Sequence, residues 1–277
     1  MENKADFYYK KNINNLLNFG VMDKNPRPKY KDGTPAHSLF ITQVFEEYNI
    51  NEGEFPITTL RNTAIKTGIK EIFWIYQKQN NLLSDAKNLG IHWWDNWDIG
   101  DGTIGQRYGA TVKRYDLINK LLYNLKNNPF SRRHVINLFQ ENDISETEGL
   151  YPCAYETIWS VREIDGLFLL DLTLIQRSND YIMAGYINKI QYVALQMMVA
   201  GHLNYEVGKF CHLVQNLHVY DRHLDAMNEV MNNQTLTPFP SIKLIKNKNF
   251  YNYDVSDFII LNTSKIPKLI SPLEIAI

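Results

Sequence analysis

One segment of the chain restricts the fold more than any other. Residues 186–201, YINKIQYVALQMMVAG, are apolar nearly all the way round a helix. A helix without a polar face has to be enclosed by other parts of the protein. Its longest apolar run, residues 192–200, contains Gln196 and is far too short to cross a bilayer. We therefore predict that this segment is a buried central helix.

The rest of the chain alternates between strand and helix patterns. Residues 151–177 contain two strand-like runs joined at Asp165-Gly166, a dipeptide typical of hairpin turns. Strand character also marks residues 38–48 and 205–220. We find no repeat, low-complexity segment or linker, so we predict one α+β domain over residues 1–277, with a mixed or antiparallel sheet packed by helices. Helical patterns predict further helices at 4–19, 58–78, 113–127 and 221–231.

Two of these helices allow more detailed predictions. The first should end at Gly20. The second should be capped by Thr58 or Thr59, and it carries Glu71 inside an apolar stretch. A carboxylate in that position is either turned to solvent or held for a chemical purpose. The apolar side of the first helix should consist of Phe7, Ile13, Leu16 and Leu17.

The composition argues against several classes of partner. Lys and Arg total 29 and Asp and Glu total 30, which gives a net charge of −1. That balance offers no electrostatic reason to expect DNA or a membrane surface as a partner. The two cysteines, Cys153 and Cys211, cannot form a disulfide framework, and the N-terminal residues lack the apolar core of a secretory signal. We expect a cytoplasmic protein.

The chemistry is concentrated around Cys153, in the segment LYPCAYE at 150–156. The segment QRSND at 176–180 brings a guanidinium and a carboxylate within reach if the two strands pair. A thiol beside an arginine is typical of nucleophilic catalysis, because the positive charge favours the thiolate. Cys211 lies in the strand-like run KFCHLV, and we assign it to packing.

Three further patterns have both a structural and a functional interpretation. Arg27 lies in a proline-rich loop at 25–37 and is either an ordinary exposed side chain or a phosphate contact. Arg132 and Arg133 form either a solvated face or a fork of donors for a phosphate. The three tryptophans of residues 92–97 are either core or the wall of a site for a flat heteroaromatic ligand.

Taken in order, these motifs resemble the thymidylate synthase family, the folate-dependent methylases of deoxyuridylate. Each motif is weak by itself, but they occur in the family's order over essentially the whole chain. The resemblance implies a homodimer formed through a sheet face, 5,10-methylenetetrahydrofolate as a consumed co-substrate, and no metal. The matching segments are DGT after Arg27, IKEIFWI around Glu71, WDNW at 94–97, SRRH at 131–134, PC at 152–153, QRSND at 176–180, Asn188, HVY at 218–220 and the apolar C-terminus.

The resemblance also implies catalytic roles. Cys153 would add to C6 of a uracil, with Arg177 favouring the thiolate. Glu71 would organise water near O4 of the base and relay protons, and Tyr108 would shape the site beside the thiol. Asn188 would pair with N3–H and O4 of uracil, which favours dUMP over dCMP because an amide offers both an acceptor and a donor.

Ligand contacts follow from the same resemblance. Arginines would collect the phosphate of dUMP, with Arg132 and Arg133 donated across the dimer interface. The full set implied for dUMP is Arg27, Arg132, Arg133, Gln176, Arg177, Ser178, Asn179, Asp180, Asn188, His218 and Tyr220. The set implied for folate is Arg61, Trp94, Trp97, Asp180, Ala184, Ala276 and Ile277, with residues 274–277 closing over both ligands.

The chain departs from the family pattern at a few positions near the folate or the base. Residues 183–188 read MAGYIN where the family usually has LGxPFN. Ala154 stands where a histidine usually follows the nucleophile, and Gln215-Asn216 stand where Gly-Asp usually precedes the HxY motif. Two alternative functions therefore stay open: a pyrimidine-nucleotide hydroxymethylase on the same fold, and a non-catalytic nucleotide-binding or RNA-binding regulator. Binding to mRNA is not excluded.

Overall fold

The chain folds around a seven-stranded sheet with one long helix across it. The computed structural model describes residues 2–245 and 247–277. The strand order is β1-β2-β7-β5-β4-β3, with β6 beside β7. Two pairings, β5 with β7 and β6 with β7, are parallel and the others are antiparallel. The predicted α+β class with a mixed sheet is confirmed. The strands are β1 Val21–Met22, β2 Ser38–Asn49, β3 Val135–Asn137, β4 Ala154–Ile164, β5 Leu167–Gln176, β6 Asn179–Asp180 and β7 Glu206–Tyr220, and a separate ladder joins β8 Ser241–Leu244 to β9 Phe258–Leu261.

Eight α-helices accompany these strands in the described part of the chain. Short 3₁₀ turns also occur, for example at Asp95–Trp97. The helices are α1 Lys4–Phe19, α2 Ile65–Ile72, α3 Leu83–Asn88, α4 Gly109–Arg114, α5 Leu117–Asn127, α6 Glu141–Glu146, α7 Gly185–Leu203 and α8 Leu224–Asn232.

The helix α7 is the predicted central helix. Every residue from Lys189 to Gly201 is buried. It packs on α2, where Gly68 allows close approach because a Cβ there would lie 3.2 Å from the Ile187 side chain. No helix within the described ranges is long and apolar enough to cross a membrane. The pattern of residues 186–201 therefore reflects burial inside the protein.

Local signals predicted most elements correctly. The hairpin of β4 and β5 turns at Asp165 and Gly166, both with positive φ, as a tight turn requires. The strands β2 and β7 match the predicted ranges to within one residue and pair with each other in antiparallel order. The first helix ends at Phe19, and the backbone N–H of Gly20 closes its last turn on Leu16.

Several boundary predictions are wrong, and long-range polar contacts explain two of the errors. The second helix begins at Ile65 because Thr58 and Thr59 donate hydrogen bonds to the Asp6 carboxylate instead of capping a helix. In α1, Phe7 and Leu17 are 45% and 49% exposed, while polar side chains such as that of Asp6 are buried on the other side. The predicted helix at 113–127 is divided into α4 and α5 at Asp116, which has φ 53°.

The two faces of the main sheet differ in exposure. The face toward α7 carries buried side chains, whereas Phe45 on β2 and Ile158 on β4 point from the other face and are 52% and 36% exposed. The site described next lies at the end of the sheet where β4 begins and β5 finishes, since Ala154 pairs with Gln176 there. The first turn of α7 reaches the same place.

Candidate active site

A cavity of about 350 Å³ opens where β4, β5 and α7 meet. It brings together most of the side chains that the sequence singled out, although they come from segments far apart in the chain. The predicted site residues that line it are Arg27, Glu71, Trp94, Trp97, Tyr108, Cys153, Gln176, Arg177, Ser178, Asn179, Asp180, Ala184, Asn188, His218, Tyr220 and Ala276.

The thiol of Cys153 lies in this cavity just before β4. The Cys153 backbone N–H donates to the Tyr108 hydroxyl at 3.2 Å, and Arg177 Nη2 lies 3.5 Å from Sγ. Arg177 is itself held by the carbonyls of Tyr151 and Pro152. Burial raises the pKa of the Cys153 thiol, and the charges of Arg177 and Arg27 lower it without cancelling that effect. The arginines therefore act on the Cys153 thiol in the predicted direction, against the effect of burial.

The second thiol is elsewhere. Cys211 lies on β7 outside the cavity, with Sγ 3.8 Å from a carboxylate oxygen of Glu47. Burial and that neighbouring charge raise the pKa of Cys211 to about 11. Its surroundings offer no activation for a nucleophile.

Glu71 is buried, so the interpretation as an exposed helical glutamate is wrong. Its side chain faces the cavity from the last turn of α2, where the helix continues into a π-helical segment at Phe73–Lys78. Burial raises the pKa of Glu71 to about 7, and the hydrogen bond that Trp93 Nε1 donates to the carboxylate opposes that rise. A carboxyl group that titrates near neutral pH is suited to general acid–base catalysis.

Four side-chain amides form a connected group beside the thiol. Gln176 Nε2 and Asn179 Nδ2 donate to Asn188 Oδ1 at 3.3 and 3.2 Å. Asn188 Nδ2 then donates to Gln191 Oε1 at 3.0 Å. The close approach of this group depends on Gly185, where a Cβ would lie 3.0 Å from Asn179 Oδ1. Amides fixed in this way present defined donors and acceptors to a planar ligand.

One end of the cavity is suited to a sugar phosphate. Arg27, Arg177 and Ser178 all line it there. His218 Nδ1 lies 3.0 Å from Asn216 Oδ1, and burial lowers the pKa of the His218 imidazole. Arg132 and Arg133 are exposed in the connection between α5 and β3 and do not line the cavity. Their predicted role depends on a second subunit.

The other end of the cavity is apolar and aromatic. Trp93, Trp94 and Trp97 form one wall, and Met183 and Ile187 form another. The C-terminal segment also reaches the cavity, since Ile275 and Ala276 line it. The tail is attached by paired backbone hydrogen bonds between Lys29 and Ile277, at 2.7 and 2.9 Å.

Ion pairs made by Arg222, outside the cavity, also hold the C-terminal segment in place. Arg222 Nη1 lies 2.8 Å from Glu274, and Arg222 Nη2 lies 2.8 Å from Asp32 and 2.7 Å from the Thr34 hydroxyl. The guanidinium also stacks on Tyr30, 4.0 Å from the ring centroid. Arg222 therefore joins the loop at 25–37 to the C-terminal segment.

Two residues predicted for folate do not line the cavity. Arg61 is buried, and its guanidinium is occupied by the Tyr9 hydroxyl and the carbonyls of Asn62 and Ile182. It supports the chain at Ile182, next to the cavity-lining Met183. Ile277 lies just beyond the lining and bonds to Lys29.

Sequence reasoning missed part of the lining. Gln191 had a detectable signal, because it lies three residues after Asn188 and so on the same face of the helix. Ile72, Ile75 and Tyr192 carried no signal that separates a cavity wall from core. The lining residues that the sequence did not mark are Pro28, Ile72, Ile75, Gln191 and Tyr192, whereas Trp93, Leu150, Ala154, Met183, Ile187 and Ile275 lie in segments that it placed at the site without an individual role.

Comparisons with known proteins agree with one another. The sequence model of the family described as thymidylate synthase matches residues 7–275. A thymidylate synthase of Lactococcus lactis subsp. cremoris (strain SK11) is 51% identical over 258 residues, which cover 92% of each chain. A thymidylate synthase of Streptococcus pneumoniae (strain 70585) is 48% identical over 261 residues, covering 92% of this chain and 93% of that one. The solved structure of thermostable thymidylate synthase A from Bacillus subtilis superimposes with a TM-score of 0.90 at 34% identity, covering 99% of both chains.

Proposed function

The chain belongs to the thymidylate synthase family, and from that premise we propose that it converts dUMP to dTMP through a covalent adduct between Cys153 and C6 of the uracil. Members of this family are methyltransferases that use methylenetetrahydrofolate as co-substrate. The observation that carries the proposal is the position of the Cys153 thiol, 3.5 Å from Arg177 and in one cavity with Glu71 and the amide of Asn188.

The proposed first step requires a thiolate. Because burial raises the pKa of Cys153, the thiol would give up its proton to water as sulfur adds to C6, and the charge of Arg177 would favour the thiolate. Adding sulfur to C6 turns C5 into an enolate carbon, which can attack the one-carbon unit of the folate. Tyr108 holds the backbone of Cys153 in place for that addition.

The proposed roles of the other polar groups follow from what each one offers. Asn188 would pair with N3–H and O4 of the uracil, with Gln176 and Asn179 holding its amide. Glu71, with a pKa of about 7, would accept and return protons by way of water during loss of the C5 hydrogen. Ser178 and Asp180 line the cavity between the phosphate end and the aromatic end.

Phosphate and ribose would be held at the polar end. Arg27 and Arg177 would contact the phosphate, and His218 and Tyr220 the ribose hydroxyl. Arg132 and Arg133 would complete the phosphate site from a second subunit, because their exposed position leaves them free to reach across an interface. We propose a homodimer of single-domain subunits formed through the open sheet face.

Folate would fill the aromatic end. Trp94 and Trp97 would contact its rings, and Ala184 and Ala276 would close the space around them. The C-terminal segment, which lines the cavity through Ile275 and Ala276, would cover the ligands, and a covered site keeps water from trapping the one-carbon intermediate before hydride transfer. The products would be dTMP and dihydrofolate.

Product analysis tests this function directly. Incubation with dUMP and methylenetetrahydrofolate should yield dTMP and dihydrofolate. Appearance of 5-hydroxymethyl-dUMP and tetrahydrofolate would instead identify a hydroxymethylase, the alternative raised by the departures at 183–188.

The role of Cys153 has its own test. Cys153→Ser should still bind dUMP, because the phosphate and base contacts remain, but it should release no tritium from C5-labelled dUMP. Cys211→Ser is the matched control and should release tritium normally. Unchanged release by Cys153→Ser would remove Cys153 from the mechanism.

A further inference from the structure

A buried ion pair lies directly behind the residue proposed to read the base. Lys189 follows Asn188 in α7, is fully buried, and places Nζ 2.5 Å from Glu46 Oε2. The same carboxylate accepts hydrogen bonds from Asn12, Tyr48 and Tyr181. Buried charges are costly unless they are fully partnered, and this carboxylate has four partners in Lys189, Asn12, Tyr48 and Tyr181. Neither Lys189 nor Glu46 lines the cavity.

A histidine connects this ion pair to the amide group of the site. His212 on β7 pairs with Glu46 on β2 as a direct cross-strand neighbour, and it is buried. His212 Nε2 lies 2.5 Å from Gln176 Oε1. An amide oxygen can only accept, so Nε2 carries the proton.

The protonation state of His212 is restricted as well. Its Nδ1 has no hydrogen-bond partner among the residues that the structure describes. Burial and the charge of Lys189 both lower the pKa of His212. A second proton on Nδ1 would face that charge without an acceptor, so the ring stays neutral with its proton on Nε2.

From His212 the hydrogen bonds run in one direction through the site. His212 donates to Gln176 Oε1, Gln176 Nε2 donates to Asn188 Oδ1, and Asn188 Nδ2 donates to Gln191 Oε1. Gln191 and Glu71 both line the cavity where this series ends. Each amide of the series therefore turns its oxygen toward His212 and its nitrogen away from it. Asn179 Nδ2 also donates to Gln176 Oε1 and Asn188 Oδ1, so a His212 ring that accepted at Nε2 would allow Gln176, Asn179 and Asn188 to turn over together.

We propose that His212, held as the Nε2–H tautomer beside the Lys189–Glu46 pair, is a positioning residue that orients the amides of Gln176 and Asn188 and so sets the preference of the site for uracil over cytosine. The inference rests on the proposed function of Asn188. Uracil presents a donor at N3 and an acceptor at O4, whereas cytosine presents the reverse. An Asn188 amide turned over would therefore match cytosine.

Two variants at position 212 test the proposal. His212→Phe keeps a planar ring beside Phe210 but removes the donor. It should weaken dUMP binding about 10- to 100-fold, the range expected when one buried acceptor loses its partner. It should also lower the ratio of dUMP to dCMP affinity by about tenfold or more. His212→Gln restores an N–H donor and should recover most of both losses.

A control on the same helix separates positioning from general destabilisation. Gln196 is a buried amide of α7 that donates to the carbonyls of Leu170 and Lys209, away from the cavity. Gln196→Met should lower the thermal midpoint and leave the dUMP to dCMP ratio unchanged. If His212→Phe also leaves that ratio unchanged while wild type makes dTMP, the inference fails and the proposed function stands.

A spectroscopic measurement of the His212 tautomer tests the proposal even if His212→Phe does not fold. The chain has seven histidines, and the wild-type protein labelled with ¹⁵N in their rings gives a separate tautomer pattern for each. His212, assigned by the signal missing from His212→Gln, should show a proton on Nε2 and none on Nδ1 from about pH 6 to about pH 8. A proton on Nδ1 would overturn the proposal whether or not the protein makes dTMP.

Discussion

Burial sets the chemistry of single residues in this site. Glu71 and Cys153 both have raised pKa values because the charged form of each loses solvation, and neither is paired with a charge strong enough to cancel the effect. Motifs and the family resemblance pointed to both residues. The size of the effect on Glu71 could not be predicted, because it depends on burial by distant segments and on a hydrogen bond from Trp93, which lies 22 residues later in the sequence.

Glu71 should make stability depend on pH. Its pKa is about 7 in the folded protein against 4.5 for an ordinary glutamate, so the folded state holds a proton that the unfolded state has released between those values. Stability should therefore fall as pH rises from about 4.5 to about 7, by about 1.4 kcal/mol per pH unit from this group.

Denaturant unfolding of wild type and Glu71→Gln at several pH values measures this contribution. Other groups titrate equally in both proteins, so the difference between the two free energies of unfolding isolates Glu71. The difference should change by about 3 kcal/mol across the range. A constant difference would mean that Glu71 titrates normally.

At the scale of elements, short sequence patterns predicted the helices and strands that depend on interactions between residues close together in the chain. The β4–β5 hairpin and the central helix α7 follow from a turn dipeptide and from apolar periodicity, and both were predicted. The start of α2 was predicted wrongly, because Thr58 and Thr59 donate hydrogen bonds to Asp6, which lies about fifty residues earlier in the chain. The ladder of β8 and β9 was missed because each strand has only four residues, too few to show a clear alternation.

The C-terminal segment is an element whose position depends on Arg222. This side chain joins Glu274 to Asp32 and Thr34, and so links the C-terminal segment to the loop that carries Arg27. Arg222→Ala should raise the KM for methylenetetrahydrofolate about two- to tenfold, since exposed ion pairs are individually weak. The KM for dUMP should change less.

Steady-state kinetics at low and high salt check this prediction. Added salt should reduce the difference in the KM for methylenetetrahydrofolate between wild type and Arg222→Ala, because salt screens the ion pairs that Arg222 makes. Lys4→Ala, which breaks a comparably exposed pair with Glu54 between α1 and the turn after β2, is the control and should leave both KM values unchanged. Equal changes in the two KM values would argue against a specific effect on the tail.

For the molecule as a whole, the open sheet face is the main unexplained surface of the monomer. Phe45 and Ile158 are exposed there, while the residues beside them in each strand point into the core. A family homodimer formed through this face would cover both side chains. It would also bring Arg132 and Arg133 toward a neighbouring site.

A charge on that face should separate the subunits. Phe45→Arg would place like charges from both copies in one apolar contact, so the protein should sediment at 32.4 kDa instead of twice that mass and should lose activity with dUMP. Phe19→Arg alters another exposed phenylalanine, at the end of α1, and should remain dimeric. A fully active monomer would contradict a shared phosphate site.

The hairpin places its turn far from the chemistry. The strand β5 has 10 residues between Leu167 at the turn and Gln176 at the cavity, a span of about 30 Å. Ile164 and Leu167 are exposed, and no atom lies within 4 Å of a Cβ built on Gly166. The turn at Asp165-Gly166 is therefore the natural point for inserting a fluorophore or an affinity peptide, so that the protein can be immobilised or followed in a sensor with its ligand sites intact.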